Sequence, residues 1–330
     1  MRRALAALAI LAAGAALAGC AGRPSLLAET SVPGASEVRW ACHDSLLVVA
    51  LGGWGVALVE SEGGHERAGW RLPEIPSSSA HGLALSAMGE TLAVATTDSV
   101  RVFATRGLRP LLSVAGNAST LALSGDGGQL LWTDGILGQL VDVGSAAEPW
   151  QGTLEAGEGA LQWAEPLGRF LVPQGRAVIS ACEGERPSFS LAEFADVRPW
   201  KLALSTTGDM LAVAESTMHV SIWSLPAGQF RRRLLLGGAG RFEKLVLSPD
   251  AQLLAMSFGA RVRVLWVRSG RAVADWAPHD GADVEGFAFA SDGSRLATVG
   301  AGGAIRTWAM PAAPGSARRP ATPEPKGEGH

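Results

Sequence analysis

One unit of apolar alternation, polar turn and apolar run recurs seven times along this 330-residue chain, and no single motif constrains the fold as tightly. The clearest copies, LALSTTGDMLAVAE (202–215), LVLSPDAQLLAMSF (245–258) and FAFASDGSRLATVG (287–300), align without gaps. LALSAMGETLAVAT from Leu83 and LALSGDGGQLLWTD from Leu121 fit the same template, and degenerate copies start at Val38 and Leu161. The apolar residue opening the second half of each unit is Leu47, Leu92, Leu130, Phe170, Leu211, Leu254 and Leu296, at spacings of 38 to 45 residues. A third alternating segment follows, as in Val100–Phe103, His219–Trp223, Arg263–Trp266 and Ile305–Trp308. After a Gly or Ser turn comes a weaker fourth, as in Phe230–Leu235 and Arg271–Trp276. Four short strands per repeat make an antiparallel sheet that cannot bury both faces alone, so the sheets must stack around a ring. The expected fold is all-β: a seven-bladed β-propeller of four-stranded antiparallel blades, first strands at the axis and fourth strands at the rim. Ala84, Ala122, Ala203 and Ala288 suit the crowded inner strands, and Arg231-Arg232-Arg233 falls on a rim strand, where charge discourages strand addition. The same triplet can also be read as a positive patch for an acidic partner.

The copies resemble WD40 repeats. The family's turn is matched by Ser248-Pro249-Asp250 and Ser291-Asp292-Gly293, its third-strand Trp by Trp223, Trp266 and Trp308, and its Gly-His histidine by His279. The resemblance covers residues 26–310, most strongly from 201 onwards and most weakly in 144–195. The departures are consistent: Ser224, Val267 and Ala309 follow the three tryptophans where the family has Asp, and Gly302 stands where it has the turn Asp. Hydrophobic stacking, rather than His–Ser–Asp–Trp networks, is therefore expected to hold the blades.

Closure of the ring can be read from the ends. After Trp308 the chain runs into Pro311-Ala312-Ala313-Pro314-Gly315, which leaves the last copy without a rim strand. Residues 26–31 stand at the matching position before the first copy, so an N-terminal strand is expected to complete the last blade. Residues 311–330, rich in Pro, Gly and charge, read as a disordered tail.

The N-terminal 19 residues read as a leader: Arg2 and Arg3, then an apolar stretch too short to span a bilayer comfortably. Leu17-Ala18-Gly19-Cys20 resembles the lipobox of bacterial lipoproteins. The resemblance implies cleavage before Cys20, a diacylglyceryl thioether on its sulfur and an acylated amino group, with residues 20–25 as lipidated cysteine and short tether. It further implies export; because only residues 21–25 separate the lipid from the ring, a tether of at most ~17 Å, a monomeric propeller held close against the membrane is expected. With Ala21 rather than Asp after the cysteine, the outer membrane is favoured over the inner in a Gram-negative cell. The formal net charge is −3, and −5 without the two leader arginines, which argues against nucleic acid as a partner.

Catalytic and cofactor signatures are sparse. The six histidines, His43, His65, His81, His219, His279 and His330, lack metal-ligand spacing, there is no Cys-x-x-Cys, and no Gly-x-Ser-x-Gly occurs. Neither a metal nor any other cofactor is expected. Cys42 and Cys182 belong to copies far apart around the ring and are expected as two buried thiols. The remaining candidates are loop residues gathered on one face: Trp54, His81, Arg198, Trp200, Arg241 and His279, with Trp and Arg typical of binding hot spots. Trp54 suits packing between blades as well as binding, and Trp200 suits packing better. These features point to a non-catalytic scaffold that binds other envelope proteins. The alternatives are a receptor for a small ligand, sugar or peptide at the axial pocket, and an envelope hydrolase or lyase with carboxylates at the channel mouth.

Overall fold

The computed structural model describes residues 23–311 except 52–54, 63, 72–79, 97, 146–149, 155–160, 175–176, 182–189, 194–198, 200, 216–218 and 237–241. The leader, Cys20, Cys182 and residues 312–330 of the tail lie outside the described residues. Strand β1 (Leu26–Ser31) comes first, followed by β2 (Ala35–Ala41), β3 (Leu46–Leu51), β4 (Gly55–Glu60) and β5 (Glu66–Arg71). Next are β6 (Ala80–Leu85), β7 (Thr91–Thr96), β8 (Ser99–Ala104) and β9 (Arg109–Ala115), then β10 (Thr120–Leu123), β11 (Gln129–Thr133), β12 (Leu137–Asp142) and β13 (Trp150–Thr153). The fourth repeat supplies β14 (Gln162–Ala164), β15 (Arg169–Gln174), β16 (Ala177–Ala181) and β17 (Ser190–Glu193). The fifth supplies β18 (Lys201–Leu204), β19 (Met210–Ala214), β20 (His219–Ser224) and β21 (Gln229–Leu235). The last strands are β22 (Leu245–Leu247), β23 (Leu253–Phe258), β24 (Arg261–Trp266), β25 (Ala272–Trp276), β26 (Val284–Phe289), β27 (Arg295–Gly300) and β28 (Ala304–Ala309).

These strands pair into seven four-stranded antiparallel sheets. Six are built from four consecutive strands, and the seventh has the order β26-β27-β28-β1. We number the blades 1 to 7 from β2 onwards. Each anchor residue of the repeat, from Leu47 to Leu296, is at most 2% exposed. Its cross-strand partners are equivalent from blade to blade: Leu211 faces Leu204 and Trp223, Leu254 faces Leu247 and Leu265, and Leu296 faces Phe289 and Trp308. A one-residue slip would turn every one of these side chains to the other face of its sheet, so the apolar pattern fixes the register.

The core is seven separate apolar clusters, each shared by two neighbouring blades. One joins blade 7 to blade 1 through Ala288, Ala297 and Val299 against Val38, Trp40 and Val49, so the described blades form a closed ring. Strand β1 lies antiparallel to β28, with Ser31 opposite Ala304 and Thr30 opposite Ile305. Just beyond it, Val32 donates its amide to the carbonyl of Gly303. Gly303 has φ +86°, and a Cβ there would lie 2.1 Å from the Val32 carbonyl oxygen, so only glycine fits this junction.

Chain direction sorts the connections onto two faces. The hairpin face carries the turns from first to second and from third to fourth strand. The crossover face carries the turns from second to third strand and the crossovers between blades. Cys42 is buried and unbridged in the first hairpin turn of blade 1.

The buried anchors and the exposed rim make opposite predictions. Leu211→Ala is expected to lower the unfolding free energy by about 2–5 kcal/mol through transfer and cavity terms. Leu235→Ala, on an exposed outer strand, should change it by no more than about 0.5 kcal/mol in urea titrations.

Candidate functional site

The crossover face is built where inner strands begin, and in three neighbouring blades the inner strand begins irregularly. β26, β2 and β6 each carry a bulge at the same place, which leaves Glu285, Ser36 and His81 as the extra residues. A bulge re-aims the side chain that it carries. Here it sets Glu285 exposed and Ser36 half-buried beside the axis. His81 thus belongs to strand β6 rather than to a loop. Simple alternation does not announce these bulges, because the extra residue leaves the apolar count of the strand unchanged. Trp54, Arg198, Trp200 and Arg241 lie outside the described residues.

His279 corrects an expectation. It was placed on an exposed loop, but it is only 6% exposed, in the crossover from β25 to β26. Its ring packs on Gly300, where a Cβ would come within 2.4 Å of the His279 Cγ. Neither ring nitrogen has a hydrogen-bond partner, and Gly302, which replaces the Asp of the repeat family, has no side chain to offer one. Burial, and after it the nearby Arg306 guanidinium, lower the imidazole pKa to about 4, against the opposing effects of Asp280, Glu29 and the Thr298 backbone.

A second correction concerns what holds the blades together. Alongside apolar stacking, arginines on third strands clip the crossovers. Arg306 on β28 donates to the Pro278 carbonyl at 2.6 Å, to Asp280 Oδ2 at 2.8 Å and to Glu29 Oε1 on β1 at 2.9 Å. At the equivalent place on β24, Arg263 donates to the Leu236 carbonyl at 2.6 Å and forks onto Asp275 Oδ2. Each guanidinium thus ties an incoming crossover to its own blade. The rim triplet has a related use: Arg232 donates to the Val267 carbonyl of the next blade, and Arg233 pairs with the buried carboxylate of Glu215. Part of the tryptophan chemistry survives, with Trp308 Nε1 donating to Thr298 Oγ1 and Trp223 Nε1 to Ser221 Oγ.

The hairpin face has a different character. Every first hairpin turn carries one carboxylate: Asp44, Glu90, Asp126, Glu165, Asp209, Asp250 and Asp292. Neighbouring turns touch, for instance through Ser291 donating from both backbone and side chain to Asp44, and through Ala87 N to the Gly125 carbonyl. The Ser124 hydroxyl holds Asp126 below the ordinary carboxylate pKa range, and the Thr207 hydroxyl does the same for Asp209. Most of these carboxylates therefore cap their own turns. Among the described residues, no group of three or more His, Cys, Asp or Glu side chains is arranged to hold a metal ion.

No protein-family model and no curated protein sequence matches this chain. Solved structures do. The β-propeller domain of Cps50 (Swd1) from Myceliophteria thermophila superposes with a TM-score of 0.73 at 13% identity, covering 87% of this chain and 100% of that one. A chain of the mitotic checkpoint complex gives a TM-score of 0.69 at 17% identity, covering 87% of this chain and 95% of that one.

Two predictions follow from the buried histidine and its arginine. His279 has a folded pKa below its unfolded value of about 6.5, so its contribution to stability is complete above that pH and is lost as pH falls towards 4. The loss should reach roughly 3 kcal/mol, and His279→Leu should flatten the pH dependence of unfolding over that window. Arg306→Met is expected to cost about 1–3 kcal/mol. Arg306→Lys should recover little in thermal melts, because a lysine cannot span the three acceptors. At identities of 13% and 17% the structural matches speak for architecture alone: this chain has the WD40-like β-propeller fold of four-stranded antiparallel blades.

Proposed function

We propose that this protein is a non-catalytic, lipid-anchored interaction scaffold of the bacterial cell envelope that binds other envelope proteins through its crossover face. The observation that carries this reading is the architecture: a closed ring of seven sheets whose first strands all begin on one face. Such a face offers several binding surfaces on a scaffold that does not need to move. WD40-like propellers are typically interaction platforms. What any one of them binds does not transfer to this chain at such low identity.

The anchor rests on sequence. Leu17-Ala18-Gly19-Cys20 closes a basic and apolar leader, and several acyl chains on one cysteine give stable attachment where a single chain gives only marginal binding. The described chain begins on blade 7 at the hairpin-face end, where the Ser25 carbonyl accepts the Ala309 amide. A lipid-bearing Cys20 would therefore sit by the face opposite the crossovers and leave the crossover face open to partners. Ala21 favours the outer membrane.

Metabolic labelling with palmitate, followed by affinity purification of the detergent-solubilised protein, tests both halves. Label and envelope partners should be recovered with the native chain, and both should be lost with Cys20→Ala. Label retained by Cys20→Ala would overturn the anchor. Turnover of a glycan by a preparation without bound protein would favour the hydrolase reading instead.

A further inference from the structure

The start of β1 is unusual for the rim of a blade. Leu26 and Leu27 are consecutive, apolar and 44% and 54% exposed. A bulge between Leu26 and Ala28 breaks the alternation that would otherwise turn one of the pair inward. Polar outer strands are the norm where a strand edge meets water, so two adjacent exposed leucines call for a covering surface.

The chain itself limits what that surface can be. Arg23 lies with its guanidinium 5.2 Å from the centre of the Trp308 ring, and Ser25 is bonded to Ala309, so the chain is already fixed to blade 7 three residues after Cys20. Three residues reach roughly 10 Å. With lipid on Cys20, as in the function proposed above, the exposed leucine pair begins six residues from the lipid, within a reach of roughly 20 Å.

The first hairpin turns of the same face resist that surface, because each carries a carboxylate and an anionic leaflet repels negative charge brought within a Debye length, with Arg106 and Arg268 in third-to-fourth turns partly offsetting it. Blade 7 therefore offers an apolar contact beside a ring of acidic turns. The other exposed apolar pair, Ile136 and Leu137, sits in the second-to-third turn of blade 3, across the ring and on the crossover face.

We propose that Leu26 and Leu27 form a lipid-contacting foot. The anchored ring stands on this edge of blade 7, tilted, with its acidic turns lifted from the bilayer and blade 3 farthest from it. The proposal rests on the anchoring reading, and its test separates the two.

The lipidated full chain is reconstituted into phosphatidylethanolamine–phosphatidylglycerol vesicles in a Cys182→Ser background, with Cys42 buried and unreactive. A polarity-sensitive fluorophore is placed in turn at Leu27→Cys, Met88→Cys and Ile136→Cys, all exposed positions. Met88 reports on the acidic turns of blade 2, and Ile136 on the distal tip. A foot predicts a blue-shifted probe at 27, quenched several-fold more by headgroup-labelled lipid than the probes at 88 and 136. Vesicle-bound protein whose probe at 27 is quenched no more than that at 136 would overturn the foot and leave the anchor standing. Equal quenching at 27 and 88 would mean a ring lying flat, and would overturn the tilted stance. Protein that fails to float with the vesicles would remove the anchor, and the foot with it.

Discussion

A sheet with two apolar faces has no stable existence by itself, and every blade of this protein is such a sheet. Each needs a neighbour on both sides, and a row of them satisfies the end sheets only by closing on itself. The contact on which closure depends is the pairing of β1 with β28, residues that stand almost the whole folded chain apart. Around it the seam between blades 7 and 1 is reinforced: Trp40 Nε1 donates to the Ala288 carbonyl, Asp44 receives Ser291, and Arg295 stacks over Trp40. These polar links are long in sequence and cost loop entropy that contacts within a blade do not. They brace a seam that the chain itself crosses only once, through residues 32–34 between β1 and β2.

Much of this architecture was legible because one residue per repeat does the same job. From Leu47 to Leu296 the anchors occupy equivalent registers, and a period near forty survives even where the rest of a copy has drifted, as around Phe170. The closing strand was legible for a related reason: an unpaired third strand at the C-terminus needs a partner, and few segments were left to supply it.

What escaped the sequence were features that leave the alternation untouched. Arg263 and Arg306 occupy positions where a polar residue is expected anyway, so nothing in the pattern distinguishes a solvated arginine from one that clips a crossover. The bulges at Ser36, His81 and Glu285 add a residue without changing which residues are apolar. His279 was identified by its match to a repeat signature, but its burial depends on Gly300 making room and on Gly302 withholding a partner. Reading it as an exposed loop residue treated a histidine that had lost its Asp as if it had also lost its slot.

The arginine clips and the histidine belong to one arrangement. With glycine at position 302, no side chain there reaches the buried imidazole, whose ring nitrogens have no hydrogen-bond partner. A guanidinium from the third strand ties the crossover, taking the Pro278 carbonyl, Asp280 and the closing strand's Glu29 at once. Burial first, and then the positive charge that steadies this crossover, disfavour protonation of His279. Closure through the N-terminal strand has a further consequence for the faces of the ring. The closing strand must run antiparallel to β28, and β28 runs from the crossover face to the hairpin face. Its first residue is therefore bound to lie on the hairpin face, and whatever precedes Leu26 in the chain attaches there, opposite the crossovers.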